Sequence, residues 1–245
     1  MIKSTYPLID ASIFEQSSSM NTGIDSILEL SKISSSAGVF TSRILIKFPL
    51  EEISASVASG KISNPSFYLN LYQSETSTVP RDYTLICHPL SQSWANGAGR
   101  TVEPTKLNGV NREGVSWTYR NKQSDRIEYM PSKDLQWTSR SLHIDSEMVY
   151  SNVTGGGTWY KNYFGTQSFS GESSDVRMDI TPVIRYLLTG SRSNDGVILK
   201  RSGSQETNTD PYGNIKFFSR ETNTVYQPRL EIVYDDSSFN STGLS

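Results

Sequence analysis

Ser66-Phe67-Tyr68-Leu69-Asn70-Leu71-Tyr72 is the stretch that decides the fold class. Phe67, Leu69 and Leu71 fall on one face, and Tyr68, Asn70 and Tyr72 on the other. A period of two is what a half-buried β-strand imposes on its sequence. Downstream, Tyr83 to Leu90 reads as a neighbouring strand after the Val79-Pro80-Arg81-Asp82 turn. Upstream, Arg43-Ile44-Leu45-Ile46-Lys47-Phe48 is a strand ended by Pro49, and Ala11 to Glu15 is a short one near the start. The last third repeats the pattern at Val176–Ile180, Gly196–Lys200, Ile215–Ser219 and Leu230–Tyr234. Ile24 to Ile33 alternates imperfectly and suits either strand or helix.

Helical spacing occurs twice. Leu50 to Lys61 predicts one or two turns, with Ile53, Val57 and Ala58 on one side. Asp179 to Gly190 carries the stronger signal. Thr181 is placed to cap the first turn, Pro182 suits the first helical position, and Gly190 can take the left-handed conformation that stops a helix. Val183, Ile184, Leu187 and Leu188 form its apolar face. The expectation is therefore an all-β jelly-roll β-sandwich of two antiparallel sheets, with long loops and one short helix near 181–189. At 245 residues the chain suits one large sandwich over 1–235. The Ser- and Asp-rich segment 236–245 is expected to be a flexible tail, and Met1–Leu8 to order only on assembly. Polar loops are predicted at Asn96–Gly114, Asn121–Glu147 and Ser202–Gly213, and loops of such length are commonly functional.

Charge narrows the partners. With 23 basic and 25 acidic residues the net charge is −2, which gives no long-range attraction to a phosphate backbone. Neither nucleic acid nor a membrane is expected as a partner, since no run of ~20 apolar residues occurs. Met1 to Pro7 has no apolar stretch of the kind a signal peptide needs, so synthesis and folding in a cytoplasm are expected. Cys87 is the only cysteine, which excludes an internal disulfide; Leu85-Ile86-Cys87-His88 places it in a buried strand.

Few residues suit catalysis. His88 and His143 are the only histidines, and neither lies in a nucleophile motif. Zinc wants clustered His and Cys ligands, and three such residues exist in total. Glu103, Glu113, Glu128 and Asp134 lie in loops where a glycosidase cleft would form, but read more simply as solvated charges. Asp10, Glu15, Asp25 and Asp179 offer oxygen for calcium without a calcium-loop spacing. Gly155-Gly156-Gly157 lacks the strand, helix and Lys-Ser/Thr of a phosphate loop, and reads as a tight turn before an aromatic strand. No enzyme, no cofactor and no metal are expected.

The aromatics are the remaining candidates. Trp94, Trp117, Tyr119, Trp137, Trp159, Tyr160 and Tyr163 all fall in the loop-rich middle. Exposed rings stack on sugar faces, so Trp94, Trp159, Tyr160 and Tyr163 form the candidate ligand site; the competing reading is that the indoles plug the sandwich as core.

Taken in order, these segments resemble the DNRLRE family of β-sandwich modules, which is similar to carbohydrate-binding jelly rolls. The opening pattern is Asp10-Ala11-Ser12-Ile13-Phe14, Asn21-Thr22-Gly23 and Leu28-Glu29-Leu30, followed by the strand Arg43 to Leu50. Trp94, Gly114-Val115-Ser116-Trp117 and Trp137 match the middle, ahead of the glycines at 155–157. The closing pattern runs through Asp179-Ile180-Thr181, Val183, Gly190, Asn194 to Leu199, Phe218-Ser219-Arg220-Glu221 and Pro228-Arg229-Leu230. Tyr186 stands where the family usually has tryptophan, and the middle loops are longer. A stand-alone copy looks like the versions carried by tailed, T4-like marine bacteriophages. That resemblance implies a non-catalytic virion structural protein, at the neck or head-to-tail connector or as a capsid decoration. Its partners would be other virion proteins in a symmetric assembly, and surface polysaccharide is the alternative ligand.

Overall fold

The computed structural model describes residues 1–74, 82–101, 113–122, 134–137, 143–144, 147–152, 155–170 and 175–235, with the backbone course alone over 143–152. The alternating stretch lies in β5 (Ser63–Leu71), the centre of a four-stranded sheet. Its order is β1 (Ile2–Thr5), β16 (Arg229–Asp235), β5 and β13 (Val176–Asp179), with every pairing antiparallel. The facing sheet runs β12 (Gly165–Phe169), β6 (Tyr83–Pro89), β14 (Val197–Arg201), β4 (Gly38–Lys47), β3 (Ile27–Ser35) and β15 (Gly213–Phe218), and β2 (Ile9–Phe14) also pairs with β4. β4 switches partner along its length: 38–41 pair with β3, and 42–47 with β2. The chain is an all-β sandwich of two antiparallel sheets.

Smaller pairings lie outside the sandwich. β7 (Tyr119–Asn121) joins β8 (Leu135–Gln136), and β10 (Glu147–Asn152) lies between β9 (His143–Ile144) and β11 (Gly155–Tyr160). Three short helices are described: α1 (Glu51–Ala58), α2 (Thr181–Leu188) and α3 (Gly203–Thr207). No helix of the described residues is long and apolar enough to cross a membrane.

Strand alternation builds two cores, because the larger sheet is covered on both faces. Ile44 and Ile46 of β4, with Val197 and Leu199 of β14, face Phe67, Leu69, Leu230 and Ile232 of the smaller sheet. Leu45 and Ile198, one residue out of phase, point the other way with Ala11 and Ile13. All four tryptophans pack over that outer face. Burying a large apolar side chain contributes about 1.5–3 kcal/mol, so this outer layer holds the connecting segments as firmly as a strand would. Asn21 clips it: its Nδ2 donates to the carbonyls of Asn96 (2.6 Å) and Val115 (2.7 Å), and its Oδ1 accepts from Gly99 (2.7 Å) and Gly23 (3.2 Å). The outer face of the smaller sheet is polar instead, with Arg177 paired to Glu231 and lying over the Tyr68 ring.

Several expectations are corrected. The stretch 24–33, open between strand and helix in the sequence, is strand over Ile27–Ser35, because Leu28 and Leu30 both enter the core with a period of two. The helical turns expected over 50–61 and the helix near 181–189 are present as α1 and α2, α3 is additional, and in α1 Ala58 is exposed while Ile53 is buried. Thr181 does not cap α2; Ile180 holds that position, and the Thr181 hydroxyl accepts the Phe67 N–H at 2.8 Å. Met1–Leu8 needs no assembly to order: β1 pairs with β16, and the terminal amine donates to the Tyr234 carbonyl. Gly155, Gly156 and Gly157 begin β11 rather than forming a turn, all at positive φ. Ser202–Gly213 is no open loop, since it contains α3 and is anchored by the buried Lys32 ammonium on the Gln205 and Asn208 carbonyls. The 236–245 tail, residues 79–81 and most of the two long middle loops lie outside the described residues.

Candidate functional site

The site grows from the outer face of the larger sheet. Lys200 of β14 stands opposite Ile86 of β6, and Ile198 opposite His88, so the side chains of 86, 88, 198 and 200 share one face. Arg43 of β4 projects on that face beside Lys200. Trp159 of β11 covers it from one side, the turn carrying Lys161 and Phe164 extends that wall, and α3 returns from β14 to form the opposite wall with Glu206 and Thr207. Together they enclose a cavity of about 590 Å³, a size typical of small-molecule sites, which run about 300–1,000 Å³.

Arg43 is fully engaged in structure. Its guanidinium pairs with Glu206 at 2.6 and 2.7 Å, donates to the Gly156 carbonyl, and lies over the Trp117 and Trp159 rings at 4.6 and 5.1 Å. Gly156 explains the triple glycine: at φ +85, a Cβ there would stand 2.4 Å from Arg43 Nη1 and 2.8 Å from the Trp117 ring. Only glycine lets the backbone lie flat on that pair.

Lys200 differs. It is 8% exposed, and its ammonium makes one hydrogen bond, to the Arg201 carbonyl at 3.2 Å, while lying 5.3 Å over Trp159. Burial holds its pKa below the usual lysine range; Glu206 opposes that shift and Arg43 adds to it. His88 forms the floor with its Nδ1 at 3.1 Å from the Tyr163 carbonyl, and burial pushes its pKa down to about 4, so the ring is neutral at pH 7. Cys87 points into the opposite core, as adjacent strand residues must, so it forms no pair with His88; burial raises its thiol far out of reactive range.

The four aromatic candidates separate. Trp159 lines the cavity but is only 7% exposed, with Arg43 and Lys200 lying over its ring, so it leaves little surface for a sugar ring. Trp94 is buried in the outer core with its Nε1–H donating to the Asp195 carbonyl at 2.9 Å, leaving little surface for a sugar ring. Tyr160 meets Tyr186 edge-on at 5.1 Å, and Tyr163 stacks on Tyr186 at 3.9 Å, so both wedge the β11–β12 turn against α2. Tyr186 completes this cluster at the position where the resembled family has tryptophan. Arg43, Ile86, His88, Phe164, Lys200 and Glu206 were not singled out from sequence as a site. Two carried a signal: Arg43 and Lys200 are charges adjoining the apolar runs 44–46 and 197–199, where alternation places them on one face.

The carboxylates considered for calcium stay apart. Asp10 accepts from Arg220 N, Glu15 from Thr41 N, Asp25 from Thr101, and Asp179 from Thr181 N. Among the described residues no group of three His, Cys, Asp or Glu side chains is placed to hold a metal ion. Glu103 and Glu128 lie outside the described residues, as does the side chain of His143. Compared with known protein families the sequence matches none, and a search of curated proteins finds no match.

Proposed function

We propose that the protein is a non-catalytic structural component of a tailed-bacteriophage particle, at the neck or head-to-tail connector or as a capsid decoration. It is made in the host cytoplasm and works by docking to neighbouring virion proteins in a symmetric assembly. The observation that carries this reading is the N-terminal segment. Met1 and Ile2 are 65% and 66% exposed, and Tyr6 and Leu8 are also exposed, so eight consecutive residues offer four apolar side chains to solvent. They lie on and just beyond β1, the end strand of the smaller sheet, whose outer edge pairs with no strand among the described residues. An open edge with apolar side chains is a template for another chain. The sequence resemblance supplies the particle. Supplied during infection, copies carrying Ile2→Lys and Leu8→Lys should accumulate with an unchanged Tm yet be depleted from purified particles about tenfold, the effect of ~1.4 kcal/mol of lost contact. Incorporation equal to the unsubstituted chain would overturn the docking surface.

A second reading is favoured by the cavity: a module that binds surface polysaccharide through Phe164 at its mouth. Phe164 is 48% exposed on its rim, tilted against His88 at 6.0 Å. A ring so placed is available for stacking on a sugar and contributes little to the core. Phe164→Ala should therefore weaken binding to a polysaccharide that the unsubstituted chain retains, with Tm unchanged. Undiminished retention would exclude this wall as the platform.

A further inference from the structure

We infer that Lys32 and Asn208 are a self-cross-linking pair: the lysine amine displaces ammonia from the asparagine carboxamide, leaving an internal amide bond, with Asp210 carrying the proton. The site is separate from the cavity and from the N-terminal edge.

Lys32 supplies the nucleophile. It lies in β3 and is 2% exposed. Its three protons go to the Gln205 carbonyl at 2.7 Å and to the Asn208 carbonyl and Oδ1, both at 2.6 Å. Among the described residues no carboxylate stands within ion-pair distance of it. The Tyr212 ring lies 5.6 Å from its nitrogen. Burial therefore holds its pKa below the usual lysine range; Glu206 opposes that shift, Arg201 adds to it, and Asp210 and Glu15 oppose it. A desolvated amine of this kind is the reactive form of lysine.

Asn208 supplies the electrophile, gripped at both ends of its carboxamide. Oδ1 accepts from Lys32, while Nδ2 donates to the Asp210 carboxylate and to the Tyr212 hydroxyl, each at 3.2 Å. A C=O bond spans about 1.2 Å, so the carboxamide carbon is at most about 3.8 Å from the lysine nitrogen, near the ~3–3.5 Å of an attacking pair. The neutral amine adds to that carbon, forming the new C–N bond. The proton it sheds passes through the Asp210 carboxylate to Nδ2. The old C–N bond then breaks and Nδ2 leaves as ammonia, with Asp210 returned to its starting state. No oxidant or co-reactant is needed. Lys200, the other buried lysine, meets only the Arg201 carbonyl, and no carboxamide stands beside it for this step. The product ties β3 to a segment 176 residues away and bolts down α3, a helix with no buried residue of its own.

Mass spectrometry of the full chain under denaturing conditions tests this. The purified chain should be lighter than its sequence by one ammonia. Trypsin should fail to cut at Lys32, giving a branched peptide in which 4–43 is joined to 202–216. Asn208→Ala should restore the full mass and the cut at Lys32. Asp210→Ala, at an exposed position, should keep the fold by circular dichroism while freshly purified chain is mostly unlinked. Full mass with normal cleavage at Lys32 in the unsubstituted chain would overturn the inference. So would an ammonia loss that persists in Asn208→Ala, and linkage in Asp210→Ala as complete as in the unsubstituted chain would remove Asp210 from the step.

Discussion

Asp10 shows how much one residue of the opening motif carries. Its carboxyl is buried against the Arg220 N–H at 2.7 Å, and desolvation lifts its pKa to about 7. The folded chain thus holds a proton that the unfolded chain releases near 3.8. Stability from this group is full below about pH 4 and is lost as pH rises through 7. His88 acts in the opposite sense: its folded pKa of about 4 lies below the unfolded 6.5, so stability falls as pH drops from 6.5 to 4. The two slopes offset one another between pH 4 and 6.5. Asp10→Asn should raise Tm at pH 8 by at least about 2–4 °C, the effect of ~1 kcal/mol in a chain of this size. It should also expose the acid-side loss due to His88, and a thermal melt series from pH 4 to 8 reads both. Asn21 is the companion case. Asn21→Ala leaves two carbonyls and two N–H groups of the outer layer without partners, at a cost of about 2–4 kcal/mol in chemical denaturation. At this scale the sequence showed that Asp10 and Asn21-Thr22-Gly23 belong to a pattern. It did not show their distant partners: Asn96 and Val115 lie 75 and 94 residues from Asn21, and Arg220 lies 210 from Asp10.

Strands were legible and their second role was not. Phe67, Leu69 and Leu71 alternate against polar neighbours, so one buried face could be read directly. Ile44, Leu45 and Ile46 form a continuous apolar run because β4 is buried on both faces, one against the smaller sheet and one under the tryptophans. Such a run marks a strand without saying what covers its second face. The five residues of α3 were missed for a different reason. A helix of one turn with no buried residue has no periodicity to detect; its place is fixed from outside, by Lys32 on its C-terminal carbonyls and Arg43 on Glu206. Glu206→Gln should therefore destabilise the chain by about 3–5 kcal/mol by stranding the buried Arg43 guanidinium. Lys200→Met should be neutral or stabilising, since it removes a buried charge that has no ion pair among the described residues. Equal losses in the two variants, measured by urea denaturation, would contradict the division of labour between these cations. Gly156→Ala belongs to the same scale: positive φ and the contact with Arg43 should cost about 2–4 kcal/mol.

At the scale of the whole molecule, the two cores and the polar outer sheet leave, among the described residues, an apolar N-terminal edge and a charged cavity turned to solvent. They lie on different sheets, so the proposed docking edge does not overlap the cavity. The fold class was legible because period-two segments recur from Ala11 to Tyr234. The cavity was not, since its lining comes from five strands, one turn and α3, which are far apart in the sequence. The most direct test of the proposed virion role is quantitative mass spectrometry of purified particles of a tailed phage whose genome encodes this chain. The account predicts the chain at a fixed copy number per particle, matching a ring or decoration symmetry. Particles that are complete and infectious without the chain bound to them would contradict it.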